Sequence, residues 1–177
     1  MKNVVLIAFV GVLIYGSTMI YRYRDVVFYW DFAKPVGEVQ LEHSEKLEKA
    51  VDLFLDENAS GGHGQCVHQW FGRDDLYLYV KLLCDQFVKE DGVVKTQGGT
   101  SFQPARLEYD PTTDTVQTME IGDMNDFSSM RKLFPKQVYS LMRWGTEPSP
   151  EILEKGYERQ QLQGSLTPDE APTAADE

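Results

Sequence analysis

Cys66 and His68 stand two residues apart, and a thiol beside an imidazole is the raw material of a nucleophilic pair or of half a metal site. On a β-strand, residues i and i+2 point the same way, so both side chains would share one face. His63 lies close upstream, but no carboxylate or further ligand is spaced to complete a tetrahedral set, and His43 is far off in the chain. No metal and no cofactor is therefore expected, and no catalytic residue is assigned. A hydrolase-type site near Cys66 and His68 stands as the alternative to a non-enzymatic role.

Cys84 offers Cys66 a different use. The segments either side of Gly72-Arg73-Asp74-Asp75 read as the two strands of a hairpin, and the midpoint of residues 66 and 84 falls inside that turn. An even index sum puts two residues of an antiparallel pair on the same face, so a Cys66–Cys84 disulfide can form in an oxidising compartment. The other reading is two buried free thiols. Oxidation would remove the nucleophile and the metal ligand together.

The remaining chemical signals have plainer explanations. The acid pairs Asp74/Asp75, Glu90/Asp91 and Asp123/Asp126 fall in turn-like segments, where carboxylates stay solvated and cannot split their pKa values. Asp110, Thr112 and Asp114 have part of a calcium-loop spacing, but the required Gly and distal Glu are missing. Gly61-Gly62-His63-Gly64 lacks the Lys-Ser/Thr of a phosphate loop.

The elements that would position these residues follow from periodicity. Leu47, Ala50, Val51, Phe54 and Leu55 make one apolar face of a helix over 44–57, with Ser44 as its cap. Strands are predicted over 66–71, 76–88, 102–109 and 115–121; in the second, Leu76, Leu78, Val80, Leu82 and Cys84 share one face and Tyr77, Tyr79, Lys81 and Asp85 the other. Asp126 caps a short helix ending at Leu133-Phe134-Pro135, and a second helical run reaches Trp144. The expected fold is α+β, an antiparallel sheet of about four strands with helices on one face.

Val4 to Tyr21 carries no charge and lies between Lys2 and the pair Arg22, Arg24. About 18 residues of this kind just cross a hydrocarbon core, and no small-residue cleavage site follows. An uncleaved, single-pass anchor is expected, in the inner or plasma membrane, with the domain outside the cytoplasm. The organisation read from the chain is an anchor at 1–24, a juxtamembrane linker at 25–40, the α+β domain at 41–144 and an acidic, mostly disordered tail at 145–177. A weakly docked helix is allowed in that tail from Pro150 to about Leu162. All 28 acids but only 14 of the 17 bases follow Arg24, a net charge of −14 that repels phosphate backbones and argues against nucleic-acid binding. The membrane, through Val4–Tyr21, and an unidentified protein are the partners left.

His68-x-x-Phe71-Gly72, the strand Leu76-Tyr77-Leu78-Tyr79-Val80, Gly98-Gly99-Thr100-Ser101-Phe102-Gln103-Pro104 and Leu133-Phe134-Pro135 together resemble a broad group of small bacterial proteins, often exported or membrane-anchored. The resemblance covers residues 68–138, less than half the chain. Gly99-Thr100-Ser101 stands where that group has a tighter Ser-Gly start to the strand. What the resemblance implies is the α+β fold and an envelope location; it carries no activity. The sequence thus reads as a membrane-anchored extracytoplasmic binding or structural module, with the hydrolase and an accessory subunit of a membrane complex as alternatives.

Overall fold

The computed structural model describes residues 32–42, 44–58, 65–98, 101–144 and 147–166. Helix α1 spans Glu45–Asn58 and buries Leu47, Ala50, Val51 and Leu55, one stripe at helical spacing. The Leu47 amide donates to the Ser44 hydroxyl at 3.4 Å, and Glu45 and Glu48 sit in the first turn, where the helix dipole favours negative charge. Strands β1 (Gln65–Arg73), β2 (Tyr77–Asp85), β5 (Gln103–Asp110) and β6 (Thr115–Ile121) form one antiparallel sheet in the order β1-β2-β5-β6. β3 (Phe87–Glu90) and β4 (Val93–Thr96) form a separate two-stranded hairpin. The strand expected to run to residue 88 thus breaks at Gln86, and the chain turns back at Asp91 (φ 51°) and Gly92 (φ 81°). Two consecutive left-handed residues suit the twist of a tight hairpin, and Asp-Gly is the dipeptide that adopts them most readily.

The helices cover both faces of the main sheet, which corrects the expectation of one covered face. α1 packs against Cys66, Leu78, Val80, Leu82, Ala105 and Leu107. On the opposite face, α2 (Phe127–Leu133) and α3 (Lys136–Trp144) bring Met130, Phe134, Val138 and Met142 against Phe71 and Tyr79. The reason lies in β2, which is buried along nearly its whole length on both sides. Its second face carries Tyr79 and Lys81, each only 1% exposed, and an aromatic ring beside a long alkyl stem can be covered by a second layer as Leu and Val are. Asp126 caps α2 by accepting from the Ser128 amide at 2.9 Å.

The folded unit extends beyond 41–144 at both ends. At the amino-terminal side, residues assigned to the linker are packed. Phe32 contacts the Phe127 and Tyr139 rings at 5.8 and 5.4 Å, the Ala33 amide donates to the Arg131 carbonyl, and Gln40 pairs with Arg73 across two backbone hydrogen bonds. Buried Asp74 holds this segment to the β1–β2 turn: it accepts from the amides of Val36, Leu76 and Tyr77 and from the Tyr79 hydroxyl. Asp74 was expected to be a solvated turn acid; four donors instead offset the cost of burying it. Among the described residues no helix is long and apolar enough to cross a membrane, and residues 4–21 lie outside them.

At the carboxyl side, α4 runs Pro150–Leu166, through part of the segment read as a disordered tail; residues 167–177 lie outside the described residues. Ile152, Leu153 and Tyr157 pack on a third cluster of Val67, Leu83, Phe87 and Val94. Gly156 makes this approach possible, since a Cβ there would lie 2.5 Å from the buried Phe87 ring. Gln160 secures the contact by accepting from the Phe87 amide and donating to its carbonyl. Three apolar residues make no core by themselves, but these complete a hairpin whose own face is apolar. Gly156→Val is expected to lower stability by about 2 kcal/mol, because forcing atoms into a filled site outweighs any gain in helix propensity. Equilibrium denaturation of the variant checks this; an unchanged midpoint would mean that the ring moves aside freely.

Candidate functional site

Cys66 and Cys84 are register partners on β1 and β2, with Cα atoms 4.0 Å apart and sulfurs bonded at 2.10 Å. The hairpin contains a bulge between Trp70 and Gly72, nearer the turn, so the even-sum pairing holds from residue 70 outward to the cysteines. No thiol is left in Cys66 for nucleophilic or metal chemistry. Among the described residues no group of three or more His, Cys, Asp or Glu is placed to hold a metal ion, and His43 and His63 lie outside them.

His68 is 5% exposed, and its Nδ1 lies 3.2 Å from Oδ1 of Asp52 on α1. The pair has the form of a base and its orienting carboxylate, but no thiol beside it remains to be activated. The same carboxylate also takes Arg159 Nη1 at 2.6 Å and Lys155 Nζ at 3.1 Å, both from α4. Arg159 reaches on to Asp56 at 2.5 Å, Lys155 to Glu48 at 2.6 Å, and Gln65 donates to Asp56 at 3.0 Å. The cluster ties α1, β1 and α4 together.

Burial alone would raise the Asp52 carboxyl. The His68 imidazole 3.2 Å away and the charges of Arg159 and Lys155 outweigh it and bring the pKa from 3.8 down to about 2. The Lys155 hydrogen bond likewise holds Glu48 low. A carboxyl depressed on folding adds stability above its unfolded pKa and loses it as the pH falls through the folded value. Asp52 should therefore account for about 2 kcal/mol of acid destabilisation between about pH 4 and pH 2. Denaturant titrations across that range should show a flatter decline for Asp52→Asn than for the parent; parallel declines would refute the coupling.

The other sequence candidates do not converge. Asp110 accepts from Thr112 and Thr113 within its own turn, Asp114 pairs with Lys46 and the Tyr109 hydroxyl, and Glu90 pairs with Lys95. Asp123 accepts from the Asn125 amide, and Asp126 is a helix cap. None of these carboxylates faces another in a closed cleft.

A site not anticipated from sequence lies on the second face of the sheet. A pocket of about 540 Å3 opens beside Lys81, between the start of β5 and the loop from β6 into α2. Lys81 forms one wall, its ammonium 5.6 Å from the centre of the Phe71 ring and 5.3 Å from that of Phe102, within cation–π range. Burial lowers its pKa below the ordinary lysine value. Ser101, Gln103, Asp123 and Asn125 add hydrogen-bonding groups, and Phe102, Ile121 and Met124 add apolar surface. Gly122, whose amide donates to the Pro104 carbonyl, lets Met130 and Phe134 approach the pocket loop; a Cβ there would lie 2.8 Å from the Met130 sulfur. A pocket with apolar walls and a few fixed polar groups can hold a small ligand without a catalytic constellation. The signal in the sequence was a lysine inside the apolar strand Tyr77–Asp85, on the face it shares with Tyr77 and Tyr79.

Compared with protein-family models, with curated proteins and with solved structures, the chain finds no match.

Proposed function

We propose that this chain is a membrane-anchored, extracytoplasmic binding module, held by a single transmembrane helix at Val4–Tyr21 and presenting the Lys81 pocket to a small polar ligand. The observation that carries the reading is the bonded pair Cys66–Cys84, because structural disulfides persist in oxidising compartments and are rare in the cytosol. The uncharged run before Arg22 supports the anchor, and the resemblance over residues 68–138 supports a bacterial envelope location. The hydrolase reading loses its nucleophile to that disulfide. An accessory role in a membrane complex has no residue of the described domain in its favour.

Two measurements test the proposal. The full-length protein should stay in the membrane fraction through a high-salt wash, and protease added to spheroplasts should digest the acidic domain. Protection of the domain would reverse the orientation, and a mature amino terminus near Thr18 would remove the anchor. In thermal-shift assays with a panel of amino acids and short carboxylates, a ligand that raises the Tm of the parent should fail to do so with Lys81→Met. A panel without a single hit would leave a structural role as the better reading.

A further inference from the structure

Residues 127–146 form the longest stretch without an acid after Arg24, and they hold four bases, Arg131, Lys132, Lys136 and Arg143, in a chain of net charge −11. Residues 127–144 of this stretch hold α2 and α3. Lys132 and Lys136 are exposed, while Arg131 and Arg143 are half-buried. α3 buries Val138, Tyr139 and Met142 on the sheet, which leaves Lys136, Ser140, Leu141 and Trp144 along its outer side. That side carries an exposed apolar pair, Leu141 at 42% and Trp144 at 67%. Lysine with tryptophan on one helix face is the composition of a headgroup-level surface, where the indole ring sits at the boundary between lipid and water.

The path of the chain keeps α2 and α3 within reach of the bilayer. The described chain starts at Phe32, packed between Phe127 of α2 and Tyr139 of α3. Residues 22–31 alone separate it from the end of the uncharged run, and ten residues reach at most about 36 Å even fully extended. The strongly acidic remainder of the domain is repelled by anionic lipid, so the field of such a membrane favours turning the basic 127–146 stretch toward it, although Asp126 caps α2 at one end.

We infer that the outer side of α2–α3, through Lys132, Lys136, Leu141 and Trp144, rests on the anionic headgroups of the membrane that holds the amino-terminal run. The inference depends on the membrane-anchored reading above. A domain seated this way is held at a fixed orientation, not free at the end of a tether.

The test uses the full chain reconstituted into phosphatidylcholine vesicles, with or without phosphatidylglycerol, whose acyl chains are brominated near the headgroup. The Trp144 signal is the difference between the parent and Trp144→Phe, since Trp30 and Trp70 also fluoresce. Quenching of that signal should be at least about twofold greater with phosphatidylglycerol, and high salt should abolish the difference. Lys132→Glu/Lys136→Glu should abolish it too, with far-UV dichroism unchanged. Equal or absent quenching in the two lipids overturns the inference, and absent quenching with a cross-linked dimer assigns the face to a second copy. An alkaline carbonate wash of the same vesicles separates the two readings. Protein retained without lipid-dependent quenching keeps the anchor and removes the seated face. Protein washed off but quenched before the wash keeps the face and removes the anchor.

Discussion

Deleting residues 150–177 should abolish cooperative unfolding of the domain, although this segment holds few large apolar residues. Removing α4 uncovers Val67, Leu83, Phe87 and Val94, which are between 0% and 4% exposed in the intact fold. Each such side chain returned to water costs about 1.5–3 kcal/mol, so the loss approaches the whole stability of an ordinary domain. The electrostatic effect has the same sign. Without Arg159 and Lys155, the Asp52, Asp56 and Glu48 carboxylates remain together on α1 and lose their cations, and an uncompensated, partly buried charge is strongly destabilising. The control is deletion of 167–177 alone, whose Pro, Thr, Ala, Asp and Glu composition should leave the Tm within about 2 °C. The comparison requires denaturation curves for both truncations in the oxidised protein. A sharp transition near the parental midpoint after removal of 150–177 would show that α4 is an ornament on a self-sufficient sheet.

Replacing both cysteines by alanine should cost about 3 kcal/mol and lower the Tm by roughly 10 °C. The bridge joins residues separated by 18 in sequence, and the loss of loop entropy in the unfolded chain sets the scale. The native state offers little to compensate, because the pair lies at the end of β1–β2 farthest from the turn, where the strands would fray first. Reductant should reproduce the effect in the parent and have none in the double variant. Thiol labelling of the unreduced, denatured protein from its native compartment should detect no free cysteine. Coincident curves for reduced and oxidised protein would mean that the hairpin register alone keeps the strands together.

Local pattern was enough for most of the elements. The α1 stripe at 47, 50, 51 and 55, the Asp126 cap and the alternation along β2 each depend on neighbours within a few residues, and periodicity records such neighbours directly. The shared face of Cys66 and Cys84 was legible for the same reason: parity about a turn fixes it without any knowledge of the rest of the fold. The β3–β4 hairpin carried an equally local signal, Asp91-Gly92, which is easily read as one more acidic turn.

Tertiary structure decided what depends on groups distant in sequence. Whether the Tyr79–Lys81 face of β2 met water or protein turned on Met130 and Phe134, some fifty residues away, and the strand's own residues do not say which segment supplies the second layer. His68 found Asp52, and Asp52 found Arg159 across a sequence separation of 107. That pairing made a structural cluster where a short reading of Cys66 and His68 suggested a nucleophile. The Lys81 pocket is likewise the meeting of β2, the start of β5 and the loop into α2. Net charge, the uncharged run and the helix and strand periods are properties of composition and spacing, so the sequence determined them by itself. Buried charge, pocket walls and the worth of α4 are properties of contacts between segments far apart, and such contacts exist only once the chain has folded.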